Sequence, residues 1–437
     1  MERRRGGVIP SAVLSRRVAW SVALVATLTM AVSYVDRQAF SFLSVKVTAD
    51  LDISNAEYGW LLLAFSFAYL VATPLGGWWI DRVGARRGLV ISVLVWSAAA
   101  ALHSFANGLA MLFALRILLG IAEGPGFPGS AQTVQRVLPP AERARGFGVL
   151  FTGSSLGGMV VPPLAAALYA LYGWRVAFVI TAIVGLVWVP LWLIATRRPD
   201  VRAALDAPTD AAEEVGVPRP TWLELLRHPI MIRALCAVSA TATITGLVHG
   251  WGSKLLNREL GVSQTDAGGY LWLPPLALDL GAVLFGDLAS RQRRAPGAPP
   301  RLLVALAIPF AACIGLVPLA TTPWEVTALF AVAMVGNGAV YTLATADLLA
   351  RVPASSVSLA GGILAGAQSI TLMVMNLLVG MSVDARGSYD VAAAVIGLWT
   401  IPGTVLWVLW RPAERLVVQR LPAASIVATS AGDSSKS

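Results

Sequence analysis

Asp36, Arg37, Arg116 and Glu123 are ionisable side chains set in stretches otherwise apolar enough to lie in a lipid bilayer. The first two occur in Ser33-Tyr34-Val35-Asp36-Arg37-Gln38, the others in Arg116-Ile-Leu-Leu-Gly120-Ile-Ala-Glu123-Gly124-Pro125-Gly126-Phe127-Pro128. A charge at the centre of a spanning helix costs at least about 2.5–3.5 kcal/mol, so each needs a partner or a task. Arg116 and Glu123 are nearly two helical turns apart and share a face, whereas adjacent Asp36 and Arg37 point different ways. One arrangement satisfies all four: Asp36 faces Arg116 across two helices, Arg37 points into a water-filled cavity, and Glu123 lies deeper on the same wall. A buried ion-pair network that only positions helices would use the same residues. The helix-breaking Gly124–Pro128 run favours a cavity, because irregular backbone at that depth is tolerated chiefly where it lines one or is buried in protein. The chemistry on offer is proton exchange at the acids and anion binding at Arg37.

The elements that must hold these groups follow from composition. Of 437 residues, 57% are apolar and 13% charged, with mean hydropathy +0.71; a soluble domain carries roughly 25% charged residues. A cytosolic enzyme, a disordered chain and a disulfide-stapled domain are excluded. Apolar runs long enough to cross about 30 Å of hydrocarbon start near Val18, Tyr58, Leu89, Leu109, Gly146 and Val176, then near Ile230, Asp266, Leu302, Val326, Ser356 and Val391. The expectation is an all-α membrane protein of twelve transmembrane helices in two six-helix bundles, residues 18–195 and 230–410. A linker at 196–229, rich in acids, arginines and proline, reads as solvated. Transporters place substrate between such bundles near mid-membrane.

The formal net charge of +9 reports topology rather than a nucleic-acid partner. Of 33 Lys and Arg, 26 fall in the tails (1–17 and 411–437) and the even-numbered connections. The positive-inside rule then puts both termini in the cytoplasm and the chain in the inner (plasma) membrane. Between spans two and three the chain reads Gly77-Trp-Trp-Ile-Asp81-Arg82-Val-Gly84-Ala-Arg86-Arg87, and the turn from Gly281 through Asp287 to Arg291, Arg293 and Arg294 is a looser copy. Arginines that merely enforce topology would not need the glycine and aspartate spacing. This string resembles the loop motif of the major facilitator superfamily, which in that family latches the two halves at the cytoplasmic face.

Tyr-x-Asp-Arg in span one, with Arg-x-x-x-Gly-x-x-Glu-Gly-x-x-Phe-Pro in span four, is similar to the anion:cation symporter family within that superfamily. Gly173-Trp174-Arg175, Trp272-Leu-Pro274-Pro275 and Gly361-Gly362-x-x-Ala365-Gly366 resemble its hexuronate-transporter branch. The resemblance implies that Asp36 and Glu123 are protonation sites coupled to Arg116, and that Arg37 and Tyr69 face an anionic substrate. The chain departs from the pattern in places. Thr152, Ser154 and Ser155 stand where relatives carry an amide, Trp251-Gly252-Ser253-Lys254 replaces a proline-containing stretch, and Gln368 stands where glycine is usual. Lys254 is either a carboxylate partner or an interfacial anchor, and Lys46 reads more as an anchor. His249 lines a cavity or bonds a neighbouring helix, and Trp251 offers a flat face to a sugar ring or simply packs. Ser154, Gln368 and Asp279 are polar positions expected to face the interior. Asp347, near the end of span ten, has a gate role or is solvated.

No nucleotide-binding glycine loop, metal-ligand cluster or nucleophile–base set occurs in the sequence, so no cofactor, no metal and no enzyme activity is expected. The expected function is proton-coupled symport of a small organic anion, a hexuronate or aldonate, by a monomer whose partners are substrate, protons and lipid. An exporter or exchanger on the same fold, or a transporter-like ligand sensor, is the alternative.

Overall fold

The computed structural model describes residues 14–206, 221–292, 298–352 and 356–412. The outer part of the basic N-terminal tail, most of the C-terminal tail and the loop arginines Arg293 and Arg294 lie outside these. Among the described residues the secondary structure is entirely helical. Eleven segments are long and apolar enough to span a bilayer. One of them, Pro140–Ala195, has 56 residues and would reach about 84 Å as a single helix. It divides at Gly173, whose φ of +76° is left-handed backbone that favours glycine, giving twelve spans. They are α1 Arg16–Asp50, α2 Asn55–Val83, α3 Ala85–Phe105, α4 Leu109–Val137, α5 140–172 and α6 174–195, then α7 Pro229–Leu260, α8 Gly268–Arg291, α9 Arg301–Leu319, α10 Pro323–Leu349, α11 Leu359–Arg386 and α12 Asp390–Leu409.

Their starts are written locally. Pro140, Pro229 and Pro323 occupy first-turn positions where the missing N–H costs nothing. Ser54 with Glu57 and Thr322 with Glu325 form reciprocal capping boxes that satisfy the first free amides of α2 and α10.

Three apolar cores show how the halves sit. One joins both halves, drawing on α1 and α2 together with α7, α10 and α11. The other two belong to the first half and the second half separately and lie toward the arginine-rich end of the bundle. Hydrogen bonds follow the same division. At the end opposite the arginines, the Tyr58 hydroxyl donates to the Gly250 carbonyl at 2.7 Å, Lys254 Nζ donates to Asn55 Oδ1 at 2.9 Å, and Gln264 donates to the Phe42 carbonyl at 2.7 Å. Asp384 of α11 accepts from the backbone N–H of Asn55 and of Ala56, at 3.1 and 2.7 Å, capping α2 across the interface. At mid-depth Ser155 donates to Asp279 at 2.7 Å. The halves are therefore joined at one end and part toward the basic end.

The linker departs from expectation. It opens with the helix Pro199–Asp206, whose Val201 and Leu205 are fully buried in the first-half core. Arg136 donates to the Leu205 carbonyl and Arg86 lies 3.7 Å from Asp206. It closes with the helix Trp222–Arg227, which buries Leu225. An apolar pair four residues apart docks a short, otherwise polar helix; residues 207–220 lie outside the described part.

Close approach of α2 and α4 rests on Gly120, where a Cβ would lie 2.6 Å from the Phe65 carbonyl oxygen and 3.0 Å from the Tyr69 amide nitrogen. Gly120→Leu is expected to cost about 1–3 kcal/mol by overpacking and to lower the melting temperature of the detergent-solubilised protein. Gly269→Ala, at a glycine with open space around it, should leave it unchanged; equal melting of Gly120→Leu and wild type would contradict this packing.

Candidate functional site

Arg37 projects from α1 and its Nε donates to Glu123 Oε2 of α4 at 2.5 Å. The Arg37 side chain retains 17% exposure while that of Glu123 has none. Three aromatic rings surround the guanidinium, with centroids at 4.3 Å for Tyr69, 5.0 Å for Phe65 and 5.0 Å for Tyr34. Arg116, buried on α4, lies 4.1 Å over Phe40 and 5.0 Å from Phe65. Phe65 thus sits between the two cations, and Gly120 is what brings it there. Cation–π contact in a desolvated site contributes about 2 kcal/mol or more.

This pairing differs from the expected one. Arg37 holds Glu123 rather than pointing free into the cavity, and Asp36 and Arg116 do not form an ion pair. Both carboxylate oxygens of Asp36, and Nε and Nη1 of Arg116, are buried without hydrogen-bond partners among the described residues, as is the second oxygen of Glu123. The reason lies in reach. The aromatic faces of Tyr69 and Phe65 on α2 steer the Arg37 guanidinium onto α4, and Arg116 fills the space beside Phe40 instead. One matched pair and two unpaired charged groups are therefore concentrated within one wall between α1, α2 and α4. Such a wall can exchange a proton or accept an anion without building a new site.

The other sequence-derived positions divide into three places. Ser154 of α5 sits beside Tyr34 with its hydroxyl bonded to the Phe151 carbonyl at 2.7 Å. His249 of α7 helps to line a small chamber between the halves together with Gln38, Ser41, Ser253 and Pro275, its Nε2 buried and unpartnered. Gln368 of α11 is half-buried. Trp251 is fully buried, its Nε1 donating to Asn376 at 3.0 Å and its ring edge-on to Tyr58 at 4.9 Å; with Lys254 it belongs to the joined end rather than to the cleft wall. Lys46 at the end of α1 is half-buried.

At the basic end the loop motif is bound to its own half. Asp81 accepts from Gln132 at 2.6 Å, Gly77 packs near Pro128, and Arg82 lies 3.7 Å over Trp78. The Arg86 carbonyl accepts from Trp192 at 3.0 Å. Asp81, Gly84, Arg87, Arg136 and Asp206 line a pocket of about 410 Å³. Asp287, the second-half counterpart, pairs with Arg291 at 2.7 Å in exposed surroundings. Asp347 is neither free nor solvated: it is buried between Arg233 of α7 and Arg351, the latter at 2.9 Å. The four-residue spacing of Asp347 and Arg351 was readable. Arg233, only four residues past Pro229, looks like a connection residue in the sequence. Phe40, Phe65, Asn55 and Asp384 had no polar motif to mark them.

Removing one partner of a buried pair leaves an uncompensated charge. Glu123→Ala should therefore destabilise the protein by about 3–5 kcal/mol, while Glu123→Ala with Arg37→Met should recover most of it. Thermal melts of both variants read the difference, and additive losses would rule out the coupling.

Comparison with known proteins places these features. The Major Facilitator Superfamily model matches residues 26–371. The chain is 27% identical to the D-galactonate transporter of Escherichia coli O6:H1 over 85% of this chain and 91% of that protein. It is 28% identical to the hexuronate transporter of Bacillus subtilis over 84% of this chain and 88% of that protein. A bacterial homolog of the human lysosomal transporter Spinster, solved in an inward-facing, unoccupied conformation, superposes with a TM-score of 0.72 at 18% identity, covering 92% of this chain and 100% of that one. With its twelve spans in two halves, its charged wall and its glycine–arginine loop, the chain belongs to the major facilitator superfamily and is a membrane transporter, not an enzyme.

Proposed function

We propose that the protein is a proton-coupled symporter of a small organic anion, a sugar acid such as an aldonate or hexuronate. The observation that carries this reading is the Arg37–Glu123 pair inside its aromatic box at the parting of the halves. A guanidinium engaged by a carboxylate is already shaped for another carboxylate. Substrate and Glu123 then compete for Arg37. A proton on Glu123 cancels its charge and releases Arg37, so anion binding and proton uptake become one event. Asp36, buried without a partner, is the second proton acceptor, and the nearby charge of Arg116 sets the balance between the two acids. Relatives named as galactonate and hexuronate transporters support the substrate class.

The electrostatics of the membrane favour the coupling. An inside-negative potential opposes anion entry by about 2.3 kcal/mol per charge per 100 mV; one accompanying proton cancels that cost and a second turns the potential into a driving force. Taking the arginine-rich end as cytoplasmic, both termini are cytoplasmic in the inner membrane and the cleft opens inward. In this reading Lys254, Trp251 and Asp384 close the outer end and must part for loading, while Tyr69, Ser154, His249 and Gln368 supply the remaining substrate contacts. The motif of Gly77, Asp81, Arg82, Gly84, Arg86, Arg87 and Asp287 exchanges its own-half partners for cross-half ones when the inner end closes. Each chain holds a complete cleft and works as a monomer.

Uptake of radiolabelled D-galactonate and D-glucuronate into proteoliposomes with an alkaline interior tests the reading. Accumulation that collapses with a protonophore is expected. Arg37→Ala should lower uptake at least a hundredfold, the loss of a bidentate charged contact of about 3 kcal/mol, and Glu123→Gln should abolish the response to the pH gradient. Uptake indifferent to the gradient in wild type would contradict symport.

A further inference from the structure

Asp279 is a carboxylate in the middle of α8, and neither the ion-binding wall nor the loop motifs use it. Its position is defined from two sides. Along the α5–α8 seam, contacts run in antiparallel order: Ser155 donates to Asp279 at 2.7 Å, a Cβ on Gly158 would lie 3.3 Å from Pro275, and a Cβ on Gly268 would lie 2.7 Å from the Pro162 carbonyl oxygen. On the other side of α8, Gly338 of α10 packs against the Leu278 carbonyl. Asp279 therefore stands within about one helical turn of the level of Tyr341. Tyr341 is in electrostatic reach of Tyr34, and Tyr34 lies against Arg37. The chain Arg37, Tyr34, Ser154–Ser155, Asp279 thus crosses the cleft from first half to second at one depth. Asp279 is half-buried, and its second oxygen takes no hydrogen bond among the described residues.

We infer that Asp279 is a specificity-determining residue that accepts hydrogen bonds from the hydroxyl groups of the substrate, while Arg37 takes the carboxylate. The Ser155 hydroxyl already occupies the carboxylate as a sugar hydroxyl would, so the exchange substitutes one O–H···O⁻ bond for another. Repulsion between Asp279 and an acid's own carboxylate fixes orientation: the charged end goes to Arg37 and the polyol end to α8. An aliphatic acid of equal length has nothing to donate, and entering would leave Asp279 desolvated and unsatisfied, which disfavours it. Displacing Ser155 also releases a contact between the halves at mid-depth, so recognition of hydroxyls loosens the α5–α8 seam. The inference rests on the sugar-acid reading above.

Binding of D-galactonate and of hexanoate to the purified protein, measured by calorimetry at one pH, separates the possibilities. Wild type should prefer D-galactonate. Asp279→Ala should weaken D-galactonate about tenfold or more, the value of a charge-assisted hydrogen bond, and bind hexanoate as well as wild type or better, because no carboxylate is left unsatisfied; retained hexanoate binding also reports a folded Arg37 site. Asp279→Asn, which keeps an acceptor, should lose less. Ser155→Ala frees the carboxylate and should bind D-galactonate as well as wild type or better. Equal losses on both acids in Asp279→Ala, or no loss on either, overturn the role of Asp279 while leaving the sugar-acid reading standing. Failure of wild type to bind D-galactonate, D-glucuronate and their stereoisomers overturns both.

Discussion

Hydrocarbon tolerates a charge only when another group answers it, and the first half of this protein is arranged around that demand. Arg37 enters the membrane on α1 and is answered by Glu123 of α4 and by the faces of Tyr69, Phe65 and Tyr34. The two rings of α2, Tyr69 and Phe65, reach the guanidinium because α2 lies against α4 at Gly120. Arg116 is answered by rings rather than by an acid. The result is a wall whose charges are nearly balanced but not fully paired, with Asp36 left bare in the interior. A fully paired network would be a strut; an incompletely paired one has capacity for a proton or an anion.

The two halves divide the work unequally. Asp36, Arg37, Arg116 and Glu123 all lie in α1 and α4, whereas the second half contributes His249 to the chamber between the halves and sets Asp279 against Ser155. Its own buried charges, Arg233, Asp347 and Arg351, are paired near the basic end, away from the cleft. This asymmetry suits a solute with one charged end and one hydroxylated end. In the proposed reading the two ends of such a solute touch different halves, so that binding reports directly on their separation.

Closure at one end is built from weak, reversible parts. Single hydrogen bonds from Tyr58, Lys254 and Gln264, and an aspartate capping a helix N-terminus across the interface, each contribute about 1 kcal/mol net. The larger contribution is the apolar core that both halves share there. At the basic end each half keeps its own core, and the Asp81 loop and the docked helix Pro199–Asp206 stay with the first half. Interfaces of this kind can be exchanged end for end because, among the described residues, neither is cemented by buried ion pairs across the seam.

Composition and spacing determined much of this protein without any coordinates. Runs of about twenty apolar residues demand helices, because a backbone in lipid must satisfy its own hydrogen bonds. The placement of arginines set which connections share a side. The four charges of spans one and four marked the candidate site, since each is too costly to be incidental. The tertiary structure alone decided who pairs with whom. Asp36 and Arg37 are neighbours in sequence, and helical geometry says only that they diverge; which one meets α4 depends on where the rings of α2 fall, and that depends on a glycine in another helix. The same holds for Trp251 and Lys254, which join the halves rather than line the cleft, and for Val201 and Leu205, which turn part of a polar linker into a docked helix. Apolar and aromatic contacts carry no polar spacing to read, so the packing that orients the charges became visible only once the helices were placed against one another.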